Sequence, residues 1–156
     1  MSRILEDWMM GRHAEFDACF RRHQVALIDR DYQAAGAELA RYQQLLDEHI
    51  AQEEGHVLPL HVAHGGDATD APTKLFLGEH QLIRKFLAEF RARVDALAAA
   101  PTDEVLLELL DREATFKNLM LHHDLRERNV LYPRLSERLG AEGQAAVLAR
   151  LRGQAR

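Results

Sequence analysis

Apolar residues recur at three- and four-residue steps through four long stretches of the chain, the spacing that lines one face of a helix. Three short breaks rich in turn chemistry separate the stretches. The breaks are Asp29-Arg30-Asp31, His64-Gly65-Gly66-Asp67 through Pro72, and Ala100-Pro101-Thr102-Asp103. The pattern predicts a first helix over about residues 10–29, with Met9, His13, Phe16, Phe20 and Leu27 turned inward. A second, about 32–58, presents Leu39, Tyr42, Leu46, His49, Glu53 and Val57. The third, about 73–99, carries Phe76, His80, Ile83, Leu87, Phe90, Val94 and Leu97, with Thr73 or Asp70 as its N-cap. The fourth, about 103–132, shows Leu106, Leu109, Phe116, Met120, His123, Glu127 and Val130, capped by Thr102 or Asp103. Beyond Pro133 a short segment ending at Gly140 leads into a weaker apolar face on Ala145, Val147, Leu148 and Leu151. That face predicts a short fifth helix, about 141–152, closing one end of the molecule.

Histidine and glutamate interrupt these apolar stripes, and they do so in a repeated pattern. His49-x-x-x-Glu53 and His123-x-x-x-Glu127 are each followed by a proline six residues after the glutamate, Pro59 and Pro133. Residues four apart on a helix share a face, so each copy offers one nitrogen and one oxygen to a common point. His13 lies 36 residues before His49, and His80 lies 43 residues before His123.

In an up-down bundle, two residues lie at the same height when they are equally far from the turn joining their helices. The midpoint of His13 and His49 is residue 31, that of Glu53 and His80 falls between Gly66 and Asp67, and that of His80 and His123 falls between Pro101 and Thr102. All three midpoints lie inside the breaks. The four helices therefore bring their polar residues to one layer, about 27 Å from the first turn by helical rise.

The rest of the composition narrows the class. The chain has 156 residues, 47% of them apolar, which is one domain's length with a sufficient core; Ala, Leu, Glu, Arg and Gln dominate while Val and Ile are scarce. We read it as all-α, an up-down-up-down four-helix bundle with a short additional C-terminal helix, in a single domain spanning 1–156. The single cysteine, Cys19, cannot pair within the chain, and the first residues carry no apolar leader, which predicts a cytoplasmic protein. No stretch approaches the roughly 20 apolar residues of a membrane span. A formal charge of −5 gives no electrostatic reason to bind nucleic acid. Small ligands, ions and proteins remain as partners.

Four imidazoles and two carboxylates form a nitrogen and oxygen set suited to iron, manganese or zinc. Two inward carboxylates without partners would cost several kcal/mol, and a metal pair removes that difficulty. The symmetry assigns His13 and His49 to one metal and His80 and His123 to the other, with Glu53 and Glu127 as bridges. For two octahedral ions joined by an oxide or hydroxide as well, about two of twelve positions stay open. Open positions on a redox-active pair are where O2, nitric oxide or peroxide binds.

These residues resemble the hemerythrin-like proteins, the HHE cation-binding domain, whose pattern is His, His-x-x-x-Glu, Glu-His, His-x-x-x-Glu. The matching elements are His13, His49-Ile50-Ala51-Gln52-Glu53, Glu79-His80 and His123-Asp124-Leu125-Arg126-Glu127. The stretches Glu54-Gly55-His56-Val57-Leu58-Pro59 and Arg128-Asn129-Val130-Leu131-Tyr132-Pro133 also look like those that follow each carboxylate in the family. The resemblance covers about residues 5–135 and implies a bundle holding two non-haem iron ions. The oxygen-carrying members have a fifth histidine one turn from the third helix's ligand, and here those positions are Phe76 and Arg84. One more ligand would leave a single open position and favour reversible O2 carriage. Two other readings stay open: a di-iron oxidase or peroxidase with a pocket near Phe76 and Arg84, and a structural adaptor whose site is zinc-filled or vestigial.

Several neighbours have plainer expectations. His122 rivals His123 as ligand, and the match between motif copies favours His123. His56 is expected at the surface or on an access path; its Glu53-x-x-His56 spacing matches one ferritin-like unit, but that architecture needs two. His23, His61 and His64 lack ligand companions at helical spacing, and His64 falls in a predicted loop. Tyr42 and Phe116 should pack a dry layer beside the metals, Cys19 should be a buried small hydrophobe, and Trp8 should cap the bundle end.

Overall fold

The computed structural model describes residues 3–154, so the ends of the expected 1–156 domain, residues 1–2 and 155–156, lie outside the described residues. Helix α1 runs Ile4–Ile28 and α2 runs Tyr32–Gln52, continuing through a π turn, Glu53–Val57, into α3, Leu58–Ala63. A single 3-10 turn, Gly66–Ala68, precedes α4, Thr73–Ala99. Helix α5, Asp103–Arg126, passes through a second π turn, Glu127–Leu131, into α6, Tyr132–Gln154. Helix accounts for every regular element among the described residues.

The breaks work as turn chemistry requires. At the end of α1, Arg30 takes the left-handed conformation (φ 59°), and the Asp31 N–H reaches back to the Ala26 carbonyl while the Arg30 N–H reaches that of Leu27. This closing pattern satisfies carbonyls that the helix end leaves free. The Asp31 carboxylate then accepts from the Ala34 N–H at 3.0 Å and starts α2. Thr102 Oγ1 accepts from the Val105 N–H at 3.2 Å and starts α5, as the sequence predicts. The start of α4 differs from expectation. Neither Thr73 nor Asp70 caps it; the Asp67 carboxylate, folded back by the 3-10 turn, accepts from the Thr73 N–H at 2.7 Å.

Two boundaries also move. Helix α1 begins at Ile4 rather than near residue 10, because Leu5 extends the apolar stripe one turn beyond Met9 and both are fully buried. The fourth predicted helix does not stop at 132, because Pro133 falls in the first turn of a new helical segment, where its missing N–H is not needed. The segment 132–139 is itself helical, and the expected C-terminal helix follows a kink at Gly140 (φ 64°, ψ −174°). Only glycine adopts that backbone readily. Gly140→Ala should therefore destabilise the protein by about 1–3 kcal/mol, read as a lowered denaturant midpoint.

Helix α1 packs along α2, α2 along α4 and α4 along α5, while α1 meets α5 only slightly and α6 more extensively. The core divides into two apolar clusters. One gathers Phe16, Phe20, Leu39, Tyr42, Leu46, Ile83, Phe90 and Phe116. The other gathers Leu5, Met9, Val57, Phe76, Leu131, Tyr132, Leu148 and Leu151. Along every long helix the predicted polar residues fall between the two clusters: His13 between Met9 and Phe16, His49 and Glu53 between Leu46 and Val57, His80 between Phe76 and Ile83, and His123 and Glu127 between Phe116 and Leu131. Among the described residues no helix is long and apolar enough to cross a membrane.

Candidate metal centre

All six predicted residues are buried: His13, His49, Glu53, His80, His123 and Glu127 are each at most 4% exposed. Each motif copy ends its α-helix at the glutamate, where a π turn begins, and the Leu58 and Tyr132 N–H groups reach five residues back to the Glu53 and Glu127 carbonyls. The following prolines, Pro59 and Pro133, lack the N–H that would continue the four-residue ladder. A one-residue bulge at a functional position is a common solution. It also swings Tyr132 inward, so that its hydroxyl donates to Glu53 Oε1.

The ligand-type atoms converge. His13 Nε2 lies 3.1 Å from His49 Nε2 and 3.1 Å from Glu127 Oε2, whose other oxygen is 2.8 Å from His123 Nε2. Glu53 mirrors this, with Oε1 at 3.3 Å from His49 Nε2 and Oε2 at 3.1 Å from His80 Nε2. Two groups emerge, Glu53 with His80, His123 and Glu127, and His13 with His49 and Glu127, each with its atoms within 4.8 Å of one another. Neighbouring corners of an octahedron with bonds of about 2.1 Å stand about 3.0 Å apart, close to these separations.

Alignment carries more than distance does. Glu53 Oε2, both oxygens of Glu127 and His80 Nε2 are sealed from solvent and make no aligned hydrogen bond despite their close neighbours. Donors and acceptors that crowd together without pointing at each other are aimed at a third centre. Sealed orphan groups of this kind call for such an explanation, and the residues present fit a cation.

Outside the centre, carboxylates orient two of the four rings and approach a third. His80 Nδ1 donates to Glu54 Oε1 at 3.0 Å and His123 Nδ1 to Glu79 Oε2 at 2.7 Å, while His13 Nδ1 lies 3.3 Å from Asp124 Oδ1. Burial opposes protonation of His13, but Asp124 and Glu127 outweigh it and raise its pKa to about 10. Burial likewise opposes the charged form of His123, and Glu127 and Glu79 push its pKa well up. The surrounding carboxylates thus favour the protonated form of these two rings. Since the folded value of His13 lies above its ordinary 6.5, the stability it contributes is fully present below pH 6.5 and is lost as pH rises through about 10. Cation uptake at neutral pH should expel protons, visible as acidification of a weakly buffered solution, and should weaken as the pH is lowered.

The family model for the hemerythrin HHE cation binding domain matches residues 65–156, more than half of the chain. The chain belongs to that family. No curated protein and no solved structure matches it. In this hemerythrin-family chain the matched stretch contains His80, His123 and Glu127, while His13, His49 and Glu53 lie before it and are brought to the same layer by the fold.

His122 is exposed and His123 buried, so only His123 faces the centre. His56 is half-buried and His64 exposed. His61 is buried, with Nε2 donating to the Ala71 carbonyl at 2.8 Å. His23 is fully buried and bonds the Ala35 carbonyl at 2.8 Å through Nδ1 and Glu113 through Nε2. Its partner sits 90 residues away, beyond the reach of a helical-spacing search. Cys19 is fully buried beside the Glu38 carbonyl, and burial and Glu38 both push its thiol pKa up. Trp8 packs, partly buried, on the cluster that contains Leu5 and Met9.

The residues that sequence reasoning missed are Tyr132, Glu54 and Asp124. Each adjoins or follows a motif residue, but nothing in spacing alone says that it points toward the layer. Tyr132→Phe should leave a buried oxygen of Glu53 without its donor. The expected result is a stability loss of about 1–3 kcal/mol without metal, and roughly tenfold weaker cation binding by chelator competition.

Proposed function

We propose that this chain is an up-down-up-down bundle, a single domain, that holds two non-haem iron ions. In this reading His13 and His49 would hold one ion and His80 and His123 the other, with Glu53 and Glu127 as the carboxylates that would be shared between them alongside an oxide or hydroxide. Its role is to bind or sense a small ligand, O2, nitric oxide or peroxide, or iron itself, with zinc or manganese as substitutes and without a nucleic-acid or membrane partner. The observation that supports it best is that each glutamate sets one oxygen against each histidine pair, the arrangement a bridging carboxylate needs. A bound iron pair would supply open coordination positions and one-electron chemistry. The protein's own residues fix the ligand geometry from four helices, exclude water with the Phe16, Phe76 and Leu131 layers, and orient imidazoles through Glu54 and Glu79.

Protein from iron-supplemented cells, reduced with dithionite and then exposed to air, provides the test. About two irons per chain, with charge-transfer bands of oxygen-bridged ferric ions that vanish on reduction, support the proposal; fewer than about one iron and no such bands remove it.

A turnover reading, oxidase or peroxidase, has one observation in its favour, and it is not the expected one. Phe76 is fully buried against the His61 and His123 rings, at 6.1 and 6.4 Å, so it packs rather than opens a pocket. Arg84 is held by Glu54. Instead a cavity of about 520 Å³ opens between α1 and α5, floored by Phe20, Tyr42 and Phe116 and reaching Asp124 beside His13. Catalytic consumption of O2 or peroxide by the loaded protein with varied reductants would favour this reading; its absence would leave the binding role.

A further inference from the structure

The pseudo-symmetry of the two motif copies stops at the ligands. On the outer side of the rings the two halves differ. His80 and His123 each donate a well-aligned Nδ1–H to a carboxylate, Glu54 and Glu79. Those carboxylates are themselves anchored, Glu54 by Arg84 at 3.3 Å and Glu79 by Arg126. His49 Nδ1 is sealed from solvent and has no hydrogen-bond partner among the described residues. His13 Nδ1 is sealed as well, and although Asp124 Oδ1 lies 3.3 Å away, the two are not aligned as a hydrogen bond. A carboxylate on the far nitrogen fixes the ring and its tautomer and makes the near nitrogen a stronger donor to a metal. Loss of such a partner typically weakens binding by about 10–100-fold.

The sequence has an asymmetry that fits. Glu54 and Glu79 follow or precede a motif residue directly, yet each serves a ring on another helix: Glu54, just past α2, holds His80 of α4, and Glu79 of α4 holds His123 of α5. The chain thus ties α4 to both of its neighbours around one cation position. No equivalent carboxylate from α1 or α4 reaches His49 among the described residues. Access is also uneven, because the α1–α5 cavity reaches Asp124, on the His13 side; its walls include Asp17 along with Arg21 and Lys117.

From these contacts we infer that the centre fills in order, with the position at His80 and His123 binding its cation tightly and the position at His13 and His49 binding its cation weakly enough to exchange. This rests on the two-ion reading above and adds a regulatory property to it. Over a range of free metal the protein holds one cation and responds to the arrival or loss of the second. Glu54 and Glu79 are positioning residues for the tight position.

The test is titration of the metal-free protein with Co2+, following calorimetry, chelator competition and the cobalt visible bands. Two separate steps are expected, the first at least about tenfold tighter than the second. His49→Ala should abolish the second step and keep the first. Glu79→Gln should weaken the first step by about 10–100-fold while moving the second much less, and should change the visible spectrum of the one-cobalt form. Glu54→Gln, on a separate segment, repeats this arm, and far-UV circular dichroism identifies a variant that has not folded. Two indistinguishable steps, loss of the tighter step in His49→Ala, or a Glu79→Gln effect confined to the second step would each overturn the ordering while leaving two-ion binding intact. Uptake of at most one cobalt would instead remove the two-ion reading, and the ordering with it.

Discussion

On the proposed two-ion reading, replacing Glu127 by alanine is expected to strip the centre of both cations, a larger effect than removing any single histidine. Its Oε1 stands 2.8 Å from His123 Nε2 and its Oε2 stands 3.1 Å from His13 Nε2, so one side chain reaches both of the proposed positions. It is also the residue shared by the two groups of converging atoms. On that reading, losing it would remove a charged ligand from each position and the negative charge that draws the cations together. The affinity loss should exceed the roughly 10–100-fold of an outer partner. Elemental analysis after dialysis, with circular dichroism to verify folding, measures it. Glu127→Gln retains one oxygen donor and should keep more metal than alanine does. A Glu127→Ala protein that still bound two ions as tightly as the parent would refute the bridging role.

Phe116→Ala is the second large effect, and it should act on stability rather than on metal. The ring is 1% exposed and meets Phe20, Tyr42, Phe86 and Phe90 at centroid separations of 5.5, 6.2, 5.7 and 5.4 Å. It therefore joins α1, α2 and α4 to α5 at one point. Truncation leaves a cavity that rigid neighbouring rings cannot close, costing about 3–5 kcal/mol. For a chain of this size that corresponds to a melting temperature lower by roughly 10 °C. Phe116 precedes His123 by two helical turns, so metal stoichiometry measured below the transition should be unchanged. A loss under about 1 kcal/mol would mean that the aromatic layer repacks.

These two predictions draw on features with different visibility in the sequence. The inward stripes of α2 and α4 were legible residue by residue, because a 3.6-residue period gives each helix one apolar face whatever it packs against. The layer was legible too: turn positions fix relative heights in antiparallel helices, so His13, His49, His80 and His123 could be set level by arithmetic alone. The boundaries of α1 and α6 were less so. Leu5 is buried in a cluster that also holds Leu148 and Leu151, near the far end of the chain, and no local pattern announces that meeting.

The cap of α4 shows the same limit. Asp67 reaches Thr73 only because a 3-10 turn folds the intervening loop. His23 and Glu113 are another case, two polar residues on separate helices that look like strays until packing makes them partners.

By itself, then, the sequence determined the helical class, the inward faces and the six convergent metal-binding candidates, since these follow from periodicity and from counting between turns. Only the tertiary structure decided which of His122 and His123 turns inward, that Tyr132 reaches Glu53, and that Glu54 and Glu79 steady one half of the centre while His49 goes without. The reason is physical. Spacing along a helix fixes direction about its own axis, whereas a hydrogen bond between helices depends on how far apart their axes lie and how each is rotated, which is set by packing across the whole core.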